Sequence, residues 1–387
     1  MRNITVCTAL LRKPLTLIGM SLLMATGISV RADYVFSTID HPATGLNGVG
    51  RETLTSNFSG TSLVGGYGSW FGDASIHGFI LTGTNWLTLD SPSAGSGASQ
   101  GTYVTAKSGA DVVGWFVDSN NITHGFLNRG SNWVTLDALD AGLSSSGGTY
   151  AQGIDGTQIA GFFIDTAAVN HGFLYDSAQK TWSQIDCPLA GSASGQGTVC
   201  ERISGSSIVG QYIDVNGLGH GFLLKGTNWT TLDAPGSAPG STIAFNLSGS
   251  DIVGSYSDTN GLSHGFLLRG TNWITLDSPL AGSGPNQGSI ILGVDNEAVV
   301  GTYVDKNGFN HGFLGTPKPQ LAITKTGDSF DVSWPYWNNS ISGWSLQKNT
   351  GLNSSAWTSI SASSTGTNNQ VTIDTLGINW FFRLIKK

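Results

Sequence analysis

Short apolar runs of four to nine residues, each bounded by Gly, Asn, Asp or Ser, follow one another along most of the chain. The stretch 196–233 shows the unit in full. Residues 197–204 read as a first strand, A, and 206–214 as a second, B, carrying Ile208-Val209 and Tyr212-Ile213. Asp214-Val215-Asn216-Gly217 is a turn, 220–224 a third strand, C, and after Gly226-Thr227-Asn228 the residues 229–233 form a fourth, D. The strands are rich in β-branched and aromatic residues, as a pleated, packed surface favours. Strand B is apolar almost throughout, which predicts a sheet covered on both faces.

The unit recurs. His-Gly-Phe begins at His77, His124, His171, His220, His264 and His311, with spacings of 47, 47, 49, 44 and 47 residues. Gly114, Gly161, Gly210, Gly254 and Gly301 each precede the His by ten residues, and Gly65 precedes His77 by twelve. Four strands in about 45 residues is the size of a propeller blade. Strand D has its own signature, Trp-x-Thr-Leu-Asp, after four of the first five motifs, with 182–186 a variant. No such strand follows His311, yet residues 36–40 (Phe-Ser-Thr-Ile-Asp) supply one near the N-terminus. A linear array has no reason to split a repeat between its ends, whereas a closed ring does. The expected fold is therefore all-β: a six-bladed β-propeller over 33–315 closed by the N-terminal strand. A linker at 316–319 and a small C-terminal β-sandwich over 320–387 follow it. In that last segment 321–324, 329–334, 344–347, 357–361, 370–373 and 380–384 read as strands.

Composition sharpens this picture at the ends and in the loops. Gly is frequent, at 55 residues, without the three-residue period of collagen, and 39% apolar residues allow a core. Residues 1–32 read as a signal peptide: Arg2, Arg12 and Lys13, then an uncharged apolar run at 15–29, then Val30-Arg31-Ala32 before Asp33. The run is shorter than the ~20 residues that span a bilayer. Removing it leaves 14 basic and 25 acidic residues, a net charge near −11, which suggests no nucleic-acid partner. The expected location is secreted or at a bacterial cell surface. Cys187 and Cys200 remain after Cys7 departs, and an even pair in an exported chain predicts a disulfide.

The repeat resembles the bacterial extracellular repeats named for a His-Ala-Phe motif, the HAF family. The resemblance rests on Ile252-Val253-Gly254, the turn Asp258 to Gly261 and His264-Gly265-Phe266, and spans residues 34–315. It implies export and repetition but no activity. This chain has Gly where the name has Ala. The B-C-D layout is also similar to kelch blades. Ser333-Trp334-Pro335 and Phe381-Phe382-Arg383-Leu384 resemble a C-terminal module of large exported Verrucomicrobia proteins, which implies an accessory role.

Chemistry is sparse. His77, His124, His171, His220, His264 and His311 start third strands, ~10 Å outside strand A, so they cannot converge on a metal that needs nitrogens within ~2.1 Å. They are expected to bond locally and pin their own blades. Asp-x-Asn-Gly at Asp214, Asp258 and Asp305, with looser copies at Asp118 and Asp165, resembles a calcium-loop opening. It lacks the acid at the twelfth position and reads better as a hairpin turn. The strand-D Trp residues are expected to pack between blades rather than stack on sugars. No catalytic set and no cofactor motif emerges, and Asp90, Asp137, Asp186, Asp233 and Asp277 read as strand-end caps. The leading reading is a non-enzymatic binding or surface protein for a glycan or protein. The alternatives are a carbohydrate-active hydrolase or lyase with an axial site, and a purely structural envelope component. If strand A lines the axis, Asn57, Gln152, Glu201, Arg202 and Asn246 converge there as candidate ligand-binding residues. The links from D to the next A, at 91–101, 187–197 and 278–288, are long and expected to vary, which marks their face as functional.

Overall fold

A computed structural model describes residues 5–7, 34–44, 52–59, 62–68, 75–142, 147–295 and 297–318. In the C-terminal part it describes 322–326, 329–335, 344–349, 357–361, 363–365, 368–374 and 381–386. Two compact units result. One is Phe36–Gly315; the other combines Met1–Val35 with Thr316–Lys387. Among the described residues there is no α-helix, and no helix is long and apolar enough to cross a membrane.

The larger unit is a β-propeller. In the fourth repeat the strands are A, Gly197–Ser204; B, Ser207–Ile213; C, Gly219–Lys225; and D, Asn228–Leu232. They pair antiparallel in sequence order, and the other His-Gly-Phe repeats pair the same way. A is mostly buried, while D alternates half-buried and exposed positions, so each sheet runs from an inner strand to an outer one. The core lies between successive sheets. Ala106, Val113 and Leu127 of the second repeat pack with Ala151, Ile159 and Phe173 of the third.

Three features of the repeat explain its motif. The Phe of His-Gly-Phe is fully buried in all six copies, at Phe79, Phe126, Phe173, Phe222, Phe266 and Phe313. Its ring covers the strand-B Gly, where a Cβ would come within 2.7–3.0 Å of it in the first five copies. The ring also meets the strand-D Trp at 4.8–4.9 Å, as in Phe222–Trp229 and Phe126–Trp133. The motif's Gly touches the neighbouring strand-D carbonyl: a Cβ on Gly172 would lie 2.3 Å from the Ile185 oxygen and 2.7 Å from Cys200 Sγ. Gly at this position is thus set by the close approach of D and of the next repeat's A. The strand-D Trp thus meets the Phe of its own blade, whereas packing between blades was expected.

The N-terminal strand Tyr34–Ile39 pairs with Asn310–Pro317, the C strand that carries the last motif. Phe36 meets Phe313 edge-on at 5.3 Å, and Thr38 Oγ1 lies 3.0 Å from the Tyr303 hydroxyl. This is the split repeat read from the sequence. His41, which the sequence reading passed over, continues the junction. It stacks on Tyr67 of the first repeat at 3.6 Å and meets Trp86 edge-on at 4.6 Å. Burial first, and the His77 charge second, lower its pKa, and its Nδ1 accepts from the Ala43 N–H.

In the smaller unit, Ala322–Thr326, Ser329–Pro335, Ser363–Thr365 and Asn368–Asp374 form one antiparallel sheet. Trp344–Asn349, Thr358–Ile360 and Phe381–Lys386 form another, with Thr5–Cys7 at its edge. Val332, Leu346 and Phe382 are buried, and the Arg383 guanidinium stacks 4.2 Å over Trp357. Six of these eight strands were legible in the sequence; Ser363–Thr365 was not, nor was Thr5–Cys7, which falls within the expected signal peptide. The apolar run at 15–29 and the cleavage position before Asp33 lie outside the described residues.

Candidate functional site

The ring of motif histidines is structural. Each Nδ1 bonds the Asp that ends its own strand D, at 2.7 Å for His77–Asp90, 2.9 Å for His171–Asp186 and 2.8 Å for His264–Asp277. His124 meets Asp137 and His220 meets Asp233 in the same way. The sixth pair, His311–Asp40 at 2.9 Å, joins the two ends of the unit. Each imidazole also lies over a strand-B aromatic ring, such as Tyr212 at 5.0 Å. The Asp-x-Asn-Gly segments are turns: Asp214 Oδ1 accepts from the Asn216 and Leu218 amides, both at 2.8 Å. Those bonds, with Leu218 first, hold the Asp214 carboxyl below its usual range against the effect of burial.

Cys187 and Cys200 do not form the expected disulfide; both are buried free thiols. Each fills a small-residue position of the repeat. Cys187 follows the strand-D Asp, where other repeats have Ser91, Ala138, Ala234 and Ser278, and its amide donates to Thr198 Oγ1 at 2.8 Å. Cys200 occupies the core position of Val104, Ala151 and Ala244, with Sγ against Gly172. They share one core cluster and behave there as small apolar residues. Burial raises both thiol pKa values, that of Cys200 strongly.

The D-to-A links at 91–101, 187–197 and 278–288 also depart from expectation, because they do not vary in build. Each opens with one turn bond, from Ala94, Ala190 or Ala281 to the carbonyl three residues back. Each then docks on the following strand B through Gly95, Gly191 or Gly282. Each closes when a Gln side chain (Gln100, Gln196 or Gln287) accepts a backbone N–H at 2.8–2.9 Å. The recurring Gln-Gly before strand A was the overlooked signal. These loops belong to the scaffold.

Variation lies instead at the axis. Every strand A carries one β-bulge, where the pairing with B skips a residue. The skipped residues are Ser56, Thr105, Gln152, Glu201, Phe245 and Leu292, six different side chains. A bulge turns its extra residue out of the pleat. All six line one cavity of about 160 Å³, joined only by Tyr103 and Arg202. Strand A therefore faces the axis, as the candidate set required.

Arg202 forms the floor of this well. It is 7% exposed, and its Nη1 donates to the Gln152 carbonyl at 2.6 Å and the Thr105 carbonyl at 3.3 Å, tying three repeats together. Its stem runs past Gly153, where a Cβ would lie 3.2 Å from Arg202 Cδ. Arg202 Nε is buried with no hydrogen-bond partner among the described residues. Beyond Arg202, toward the A–B turns, lies a second cavity of about 360 Å³ that holds Asn57 and Asn246. The candidate residues thus divide: Gln152 and Glu201 on one side, Asn57 and Asn246 on the other, and Arg202 between them. The two asparagines bond each other, Asn246 Nδ2 to Asn57 Oδ1 at 2.9 Å, and Asn246 reaches the Leu292 carbonyl at 3.3 Å. They stitch the ring, with Asn57 Oδ1 and Asn246 Nδ2 spent on each other and on the neighbouring backbone.

Electrostatics in the well follow from burial. The Glu201 carboxyl rises to about 7 because it is poorly hydrated, partly offset by Arg202. Arg202 falls to about 10 for the same reason, offset by Glu201 and Tyr103. Tyr103 rises to about 12 by burial, against a hydrogen bond from Ser56 Oγ. No group of three or more metal-ligating side chains occurs among the described residues.

No family model and no curated protein matches the sequence. Solved structures give distant likenesses. A mutant Aleuria aurantia lectin in complex with α-methyl-L-fucoside is 13% identical, with 73% of this chain and 97% of that one covered and a TM-score of 0.39. The SapL1 lectin in complex with α-methyl fucoside is also 13% identical, over 66% of this chain and 93% of that one, at 0.39. The β-propeller domain of the trilobed protease from Pyrococcus furiosus is 9% identical over 74% and 90%, at 0.36. The β-propeller assigned here stands on its own strand pairing.

Proposed function

We propose that this is a secreted, non-enzymatic binding protein. Its six blades are closed by the N-terminal strand and followed by a small β-sandwich, and the ligand, of glycan type, sits in the axial well. One observation carries the reading. At the positions that build the blade, the six repeats agree on His, Gly, Phe and Asp, whereas at the bulge, turned into one shared cavity, no two agree. A repeated scaffold that turns a different side chain from each repeat into one shared cavity is the pattern of a recognition site. Catalysis is less well supported, because Glu201 is the single carboxylate lining the well and glycoside hydrolysis ordinarily uses a pair.

The test is a glycan-array screen of residues 33–387, with hits measured by calorimetry against Gln152→Ala and Glu201→Gln. Weakened binding in folded variants supports the axial site. Full affinity in both variants removes the well from the binding function, and a blank array removes the glycan reading. Arg202 is unsuitable for this purpose, since truncating it would unpin three repeats.

A further inference from the structure

We infer that the axial well takes a single terminal sugar end-on, a neutral pyranose held by Glu201 and Gln152 against Phe245 and Leu292. The inference rests on the binding reading above and names its ligand class. Ring order supplies the chemistry. Around the axis the bulge residues run Ser56, Thr105, Gln152, Glu201, Phe245, Leu292. A polar arc from the second, third and fourth repeats therefore faces an apolar arc from the fifth and sixth. A pyranose has the same two-sidedness, with C–H groups to lay on an aromatic or aliphatic wall and hydroxyls around its rim.

The polar arc holds unspent capacity. Gln152 lends only its backbone carbonyl, to Arg202, and its side-chain amide bonds no described residue. The Glu201 carboxyl likewise accepts no hydrogen bond from a described residue; Arg202 acts on it only through its charge. Both side chains are half-buried, so their unspent carboxyl and amide groups stay open to a ligand or water in the well. A carboxylate can take two adjacent hydroxyl donors, and an amide can donate and accept beside it. Above about pH 7, with Glu201 ionised, one cation and one anion line the well and its net charge is zero, which suits a neutral ligand over an ionic one.

The floor decides the mode. Arg202 is the one residue shared by the well and the cavity beyond it. Its bonds to the second and third repeats, and the Asn57–Asn246 bond at the same level of strand A, block the axis. A polymer cannot thread through, so a sugar must enter and leave on one side. A chain end fits and a chain interior does not.

The experiment uses residues 33–387 and calorimetry with the methyl glycosides of D-glucose, D-galactose, D-mannose and L-fucose. The best of these is then compared with the same residue carrying a second sugar on a ring hydroxyl. The expected result is binding of one or more methyl glycosides and at least 100-fold weaker binding of the substituted form. Glu201→Gln, nearly isosteric, should weaken binding at least tenfold with an unchanged unfolding profile, and Lys107→Ala in the second cavity should not. Equal affinity for the substituted sugar, or undiminished affinity in Glu201→Gln, overturns the end-on inference while the binding reading stands. If no methyl glycoside or array glycan binds, the glycan reading falls and this inference with it.

Discussion

Glu201 should make the stability of the propeller fall as pH rises, and the size of that fall can be worked out. Its carboxyl is carried from an ordinary value of 4.5 to about 7 by burial. Between those values the folded chain holds a proton that the unfolded chain has released. Bound protons are then more numerous in the folded state, so the unfolding free energy decreases with pH. The term is negligible below the unfolded value, grows through the window and is complete above about 7. From pH 5 to pH 8 a shift of this size amounts to about 2.5 kcal/mol, an upper figure because the side chain is only half-buried. Glu201→Gln removes that term and leaves the motif histidines and their Asp partners in place. Urea unfolding of both proteins at pH 5, 6, 7 and 8, followed by far-UV circular dichroism, gives two pH profiles. Their difference should open by up to about 2.5 kcal/mol toward pH 8, with the variant the less pH-sensitive. Parallel profiles would refute the reasoning, since they would mean that Glu201 titrates alike in both states.

Other expectations follow from the same geometry. Deleting residues 33–42 removes the outer strand of the closing repeat and the Phe36–Phe313 contact; it should destabilise by about 3 kcal/mol or more, read by urea midpoint. An equal deletion at the C-terminus should leave the propeller transition in place. Gly172→Ala drives a methyl into the Ile185 carbonyl and Cys200 Sγ, and should destabilise by about 1–3 kcal/mol, whereas Gly172→Ala with Cys200→Ala should recover part of that loss. Cys187 and Cys200 should react with a thiol reagent only after denaturation; no additional thiol in denaturant would show a bond between them. Affinity for a hydroxyl-donating sugar should decline as pH falls below about 7, because protonation removes the Glu201 acceptor charge, and a flat profile from pH 5.5 to 8 counts against its role.

Much of the blade was readable before any coordinates. The Phe, Gly and Trp positions recur because each meets a fixed neighbour, and residues 36–40 matched strand D closely enough to reveal the split repeat. Two matters were less legible. A bulge is a fault in pairing between two strands, so it leaves no motif in either; aligning strand A gave the right columns without showing that Glu201 and Asn246 fall on opposite sides of Arg202. Spacing also misled at Cys187 and Cys200, since proximity in sequence and even number say nothing of where two sulfurs point. Here one serves a loop corner and the other a blade core. The D-to-A links looked variable because their letters differ, while the bonds that hold them are made largely by backbone and one recurring Gln.

The bulge has a consequence for how such a protein can change over generations. Every repeat contributes its bulge side chain to the well, and two of these, Ser56 and Thr105, also bond the neighbouring repeat. The other four, Gln152, Glu201, Phe245 and Leu292, can therefore be rewritten one at a time, as on a combination lock whose tumblers move independently of its case. If the well binds sugar as proposed, two descendants of one gene, alike in every blade, would read different sugars after a single codon change at any of the four.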